Sequence, residues 1–146
     1  MSVKAFVDTN VLVYAHDSSA AEKYERAKSL VQRLWTEKAG VVSTQVLQEF
    51  YVTVRKKVLR PCDVGTAKRW LSHYVNWRVI EIDGSTILEA IDIERRYQLS
   101  FWDALIVQAA NRAGTTLLYS EDLNSDQRYG TVRVENPFLT TQELDE

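Results

Sequence analysis

Phe6-Val7-Asp8-Thr9-Asn10-Val11-Leu12-Val13-Tyr14 is the stretch on which the fold turns. The segment 3–7 is short, apolar and β-branched, and it runs straight into Asp8-Thr9-Asn10, residues that favour turns and helix caps. A buried first strand followed by a capped helix is the expected reading. Val11, Leu12 and Tyr14 begin that helix, and Asp17-Ser18-Ser19 breaks it.

Working outward, residues 20–38 are rich in Ala, Glu, Lys and Leu and predict a long second helix, which Gly40 ends. Val41-Val42 predicts a brief strand, and Ser43 or Thr44 is placed to cap a helix through about Val58. Pro61 closes that helix, Asp63 caps another to about Tyr74, and 77–82 reads as a third strand before Asp83-Gly84-Ser85 turns the chain. A helix to about Tyr97 follows, then one from Ser100-Phe101-Trp102-Asp103 to Arg112, capped by Gly114. Residues 115–119 and 131–134 predict two last strands, and the tail after Pro137 is expected to fray.

Strands alternating with helices favour a parallel sheet covered on both faces, because right-handed crossovers place the helices there. The expected fold is a three-layer α/β/α sandwich with a parallel sheet of about five strands. With 45% hydrophobic and 26% charged residues, no repeat and only 5 Gly and 2 Pro, residues 1–146 are expected to form one domain.

Composition also narrows the chemistry. Cys62 is the only cysteine and His16 and His73 the only histidines, so an intrachain disulfide and a Cys/His zinc site are both excluded as expectations. Any metal is held by oxygen. A formal net charge of −2 argues against binding nucleic acid by bulk electrostatics alone, while leaving room for a local basic groove. No apolar run approaches membrane-spanning length and no signal peptide is recognisable, so a cytoplasmic protein without membrane contact is expected.

In open parallel sheets the functional crevice lies beyond the carboxyl ends of the strands. Asp8 follows the first predicted strand and Asp122 follows Leu117-Leu118-Tyr119-Ser120-Glu121, which brings both acids to one edge. The bland reading is that each caps the next helix or turn. Capping also accounts for Asp103, three residues after Ser100, but not for its neighbours Phe101-Trp102 and Ala104-Leu105-Ile106, which would desolvate the carboxylate. Periodicity makes Glu49 a surface residue, beside the stripe of Leu47, Phe50, Tyr51 and Val54. Carboxylates gathered in one crevice repel one another, so the cluster is sensible only around a cation, and Mg2+ or Mn2+ suits oxygen ligands. Such an ion activates water and neutralises phosphate charge, which points to phosphodiester hydrolysis.

At this point four stretches resemble a known family. Phe6 to Tyr14 looks like the opening motif of the PIN domain, the nuclease module of many VapC-type toxins. Ser43-Thr44-Gln45-Val46-Leu47-Gln48-Glu49-Phe50 resembles its second-acid motif, Ser100-Phe101-Trp102-Asp103-Ala104-Leu105-Ile106 the third, and Ser120-Glu121-Asp122-Leu123 the fourth. The resemblance implies a ribonuclease with magnesium or manganese on Asp8 and Asp103. Glu49 and Asp122 complete the acidic cluster directly or through water, and Asn10 and Ser120 support it by hydrogen bonding. It lifts Glu49, which periodicity dismisses, and leaves Glu121 and Asp126 without a role. A toxin-type member further implies an RNA substrate, a homodimer and a small antitoxin over the acidic crevice.

Arg55-Lys56-Lys57 with Arg60, Lys68-Arg69 and Arg95-Arg96 are the basic groups available to phosphate, although such runs are more often solvated helix faces. Trp35, Trp70, Trp77 and Trp102 could stack on RNA bases, with packing the preferred role for most of them. Among rivals, a haloacid-dehalogenase-type phosphatase wants a second Asp where Asn10 stands, and a receiver-type switch wants an acidic pair where Phe6-Val7 stands. The alternative from another class is a non-catalytic metal- and RNA-binding domain of the same fold.

Overall fold

A computed structural model describes residues 3–139. The first strand, β1 (Ala5–Val7), is wholly buried, and Asp8 stops it by turning its side chain back to cap α1 (Thr9–Tyr14). A 3-10 turn at Ser18–Ala20 leads to α2 (Glu22–Glu37), then β2 (Gly40–Ser43), α3 (Thr44–Lys56) and α4 (Val64–Tyr74). The chain continues through β3 (Arg78–Ile80), α5 (Gly84–Tyr97), α6 (Phe101–Arg112) and β4 (Leu117–Tyr119), and finishes with β5 (Arg128–Tyr129) and β6 (Val132–Glu135).

The sheet order is β3-β2-β1-β4-β6-β5, parallel throughout except for β5 against β6. Helices flank it, with α5 against α6 and with α1 and α4 both against α3. The sandwich expectation holds, with one more strand than the sequence suggested. The extra one, β5, is two residues long and exists only as the return arm of a tight hairpin through Gly130 at φ +65°. Asn111 holds that turn by donating to the Tyr129 carbonyl and accepting from Thr131 N.

Five helix starts follow the capping logic of the sequence. Asp8, Ser43, Asp63, Asp83 and Ser100 each accept a backbone N–H of the first turn. Gly114 takes the expected left-handed turn, at φ +73°. Gly40 is different: Lys38, at φ +54°, occupies the left-handed cap of α2, and Gly40 opens β2. A Cβ at Gly40 would lie 2.4 Å from the Trp77 ring, so glycine is there for close approach, not to end a helix.

The core is centred on the middle strands. Phe6, Val7, Val41, Val42 and Leu118 are buried with Val11, Leu12, Val46, Phe50 and Val107 from the helices, each apolar side chain contributing roughly 1.5–3 kcal/mol by leaving water. Residues 138 and 139 depart from the expected fraying after Pro137. Phe138 packs edge-on to Tyr14, and Arg26 donates to the Leu139 carbonyl. Residues 140–146 lie outside the described residues.

Candidate active site

Strands β1 and β4 are parallel neighbours with Val7 opposite Tyr119, so Asp8 and Ser120 leave the sheet side by side. The chain turns outward from β1 towards β2 on one side and β4 on the other, which opens a crevice at their carboxyl ends. Asp8 is 5% exposed there. Its carboxylate accepts from Thr9 N at 2.7 Å and from Ser120 Oγ at 2.8 Å. Asn10 Nδ2 donates to Asp122 Oδ2 at 3.1 Å and lies 3.5 Å from Asp8 Oδ2, while Asn10 Oδ1 accepts Glu121 N. Asn10 and Ser120 thus link Asp8 to Asp122 by hydrogen bonds.

Burial pushes the Asp8 carboxyl from an ordinary 3.8 up to about 7. The bonds from Ser120 and Thr9 pull it down, and the charges of Asp122 and Glu49 push it further up.

Glu49 is half-buried rather than a surface residue. Thr9 Oγ1 donates to its Oε2 at 2.9 Å and Gln45 Nε2 to its Oε1 at 2.7 Å. Helical periodicity missed this because the first donor comes from α1. Gln45 sits one turn before Glu49 on α3, and its Nε2 also reaches the Trp102 carbonyl on α6. Thr9 and Gln45 are the two residues that sequence reasoning overlooked. Their only signals were an i,i+4 spacing and adjacency to Asp8.

Asp103 opens α6, where Ser100 Oγ accepts its backbone N–H. Burial raises its carboxyl pKa, the Ser100 bond lowers it, and the Asp122 and Glu49 charges raise it further. The desolvation is milder than the sequence suggested because Trp102 is 64% exposed; Ala104, Leu105 and Ile106 supply the buried side.

Asp8 and Asp103 each feel both Glu49 and Asp122, so the four acids share one crevice. Among the described residues, none of the four pairs with a lysine or arginine. Also among these residues, no three His, Cys, Asp or Glu side chains stand close enough to enclose a metal ion unaided. Mg2+ keeps several waters and needs only one or two direct carboxylates, so wide spacing suits it better than a tight cage. Among the described residues, Gln45 Oε1 is buried without a hydrogen-bond partner, while its Nε2 is held by Glu49. In donor chemistry and charge the residues fit a hard divalent ion.

Glu121 is no part of this cluster. It accepts from Tyr14 Oη at 3.1 Å and pairs with Lys23 at 2.5 Å. Asp126 pairs with Arg133. Of the basic runs, Arg55 and Lys56 close α3 and Arg95 and Arg96 close α5, where the negative helix ends favour them.

The sequence model of the family described as "PIN domain" matches residues 5–129. No curated protein matches the sequence. Among solved structures, VapC20 of Mycobacterium tuberculosis, described as a Sarcin-Ricin loop cleaving toxin, superposes with a TM-score of 0.63 at 20% identity, covering 82% of this chain and 90% of that one. A toxin-antitoxin complex from Klebsiella pneumoniae gives 0.65 at 19%, covering 92% and 98%. DNA-bound VapBC from Salmonella typhimurium gives 0.63 at 17%, covering 93% and 99%. At these identities the likeness establishes the fold.

Proposed function

The chain belongs to the PIN-domain family, and from that premise we propose that it is a metal-dependent endoribonuclease acting in the cytoplasm as the toxin of a type II toxin-antitoxin pair. The observation that carries the reading is the buried Asp8 carboxylate in a crevice shared with Glu49, Asp103 and Asp122 and, among the described residues, without a paired cation. An isolated cluster of this kind is costly unless an ion balances it.

Asp8 and Asp103 would hold Mg2+ or Mn2+, with Glu49 and Asp122 joining directly or through water. When bound, the ion would supply Lewis-acid stabilisation of the phosphodiester and lower the pKa of a water. Ser120 and Thr9 fix the Asp8 carboxylate by donating to it. Thr9 and Gln45 grip both oxygens of Glu49, so its rotamer is set before substrate arrives. Asn10 holds Asp122 beside Asp8.

The toxin-antitoxin part of the reading is supported by the architecture shared with the Klebsiella and Salmonella complexes. It carries with it a small antitoxin covering the crevice and a homodimer. The experiment is RNA cleavage by purified, inhibitor-free protein. Cleavage of mixed structured and single-stranded RNA in magnesium or manganese, lost in chelator and in folded Asp103→Asn, is the expected result. Metal binding without turnover would favour the non-catalytic RNA-binding alternative.

A further inference from the structure

The opposite edge of the sheet carries the opposite charge. Three neighbouring strands begin there, and each begins beside a cation: Lys4 before β1, Lys38 before β2 and Arg78 as the first residue of β3. Together with Trp35, Trp77 and Asn76 they line a cavity of about 370 Å³ that, among the described residues, contains no acidic side chain. Ligand pockets begin at roughly this size.

Two of these cations donate to backbone carbonyls. Lys4 Nζ donates to the Lys38 carbonyl at 2.7 Å, and Arg78 Nη1 donates to the Ala113 carbonyl. Among the described residues, none of the three pairs with a carboxylate. In a chain of net charge −2, three uncompensated cations in one cavity are a local excess. The same edge leads into a second cavity lined by Arg33, Arg128, Arg133 and Glu37, with Arg133 paired to Asp126.

The apolar wall is aromatic. Trp35 is 44% exposed and its ring centroid lies 6.5 Å from that of Trp77. Trp77 in turn is seated by Gly40, whose missing Cβ gives the ring its place. An exposed indole beside clustered cations matches the two halves of a nucleotide, a base that stacks and a phosphate that needs donors. Inorganic phosphate would use the cations and leave the indole unused.

We propose that this cavity binds a nucleotide, with the base on Trp35 and the phosphate between Lys4, Lys38 and Arg78. The site is separate from the acidic crevice, and its test does not depend on cleavage. Two sources share the chemistry, a free nucleotide and a nucleotide of single-stranded RNA.

The full chain in chelator is titrated with AMP, with adenosine, and with a short single-stranded RNA bearing or lacking a 5′-phosphate. Indole N–H resonances, assigned through Trp35→Phe and Trp77→Phe, report the cavity, and fluorescence anisotropy reports RNA affinity. AMP is expected to shift the Trp35 resonance and adenosine to do so far more weakly. Binding confined to AMP identifies a free nucleotide. Preference for the phosphorylated RNA identifies a chain end, and equal binding of both RNAs an internal nucleotide.

Lys38→Glu with Arg78→Glu is expected to weaken binding on the order of tenfold or more, about 1.4 kcal/mol. Lys38→Gln with Arg78→Gln provides a milder folded variant if the reversal destabilises the chain. No Trp35 shift, or affinity unchanged by either pair, overturns the proposal and leaves Lys4 and Arg78 to the carbonyls at the ends of α2 and α6. Cleavage in magnesium without binding here would overturn this inference alone, and binding here without cleavage would overturn the nuclease reading alone.

Discussion

Replacing Asp8 by Asn in the metal-free protein is expected to change stability with opposite signs at the two ends of the pH range. The folded carboxyl holds its proton to about 7, whereas in the unfolded chain it ionises at an ordinary 3.8. Between those values the folded state binds more protons than the unfolded state, so stability falls as pH rises through the window. Each pH unit is about 1.36 kcal/mol, which makes the penalty about 4 kcal/mol once the pH exceeds 7. The substituted amide carries no charge and escapes that penalty. Its Oδ1 still accepts from Thr9 N, but its nitrogen cannot accept from Ser120 Oγ, at a cost of about 1 kcal/mol. In chelator at about pH 8 the variant is therefore expected to be more stable by roughly 3 kcal/mol, a Tm higher by roughly 10 °C for a chain of this size. Near pH 4 the same variant is expected to be less stable by about 1 kcal/mol. Thermal melts of both proteins across this range provide the assay. Parallel Tm curves, or a variant less stable throughout, would refute the claim that the crevice leaves an uncompensated carboxylate.

Thr9→Val keeps the shape of the side chain but removes the donor to Glu49 Oε2, and is expected to lower kcat/KM for RNA cleavage about tenfold, with little change in Tm. Glu121→Gln is expected to retain cleavage within about threefold, since Glu121 faces Lys23 and Tyr14, whereas Asp122→Asn loses far more; equal losses in kinetic assays would return Glu121 to the site. His16, packed against Trp70 with Nε2 2.6 Å from Tyr74 Oη, is held neutral by burial and by the His73 charge, its pKa lowered from 6.5 to about 4. Its contribution is fully present above 6.5 and is lost as pH falls to about 4, by up to about 3 kcal/mol. Denaturant melts of wild type against His16→Phe should show that narrowing difference; a constant difference would contradict it.

Much of this was legible because local rules and the global fold agree. The apolar run before Asp8 and the spaced Asp and Ser caps announce the strands and helix starts, and capping uses only neighbours in sequence. Asp8 and Asp122 could be paired from the strand-end rule alone. Glu49 could not, since its setting depends on Thr9 from another helix and on Gln45, whose second bond crosses to α6. β5 was invisible because two residues carry no periodicity, and only the Gly130 turn held by Asn111 defines it. Gly40 was misread because a helix stop and a close ring contact both call for glycine, and only the position of Trp77 separates them.

Asp8 and Asp103 are proposed to hold a divalent ion together. Titrating chelator-treated protein with manganese, and following free Mn2+ by electron paramagnetic resonance, tests that proposal most directly. Saturable binding in wild type and in Glu121→Gln, lost in Asp8→Asn and in Asp103→Asn while all four chains remain folded, is the predicted result. Binding that survives both aspartate substitutions would contradict the account.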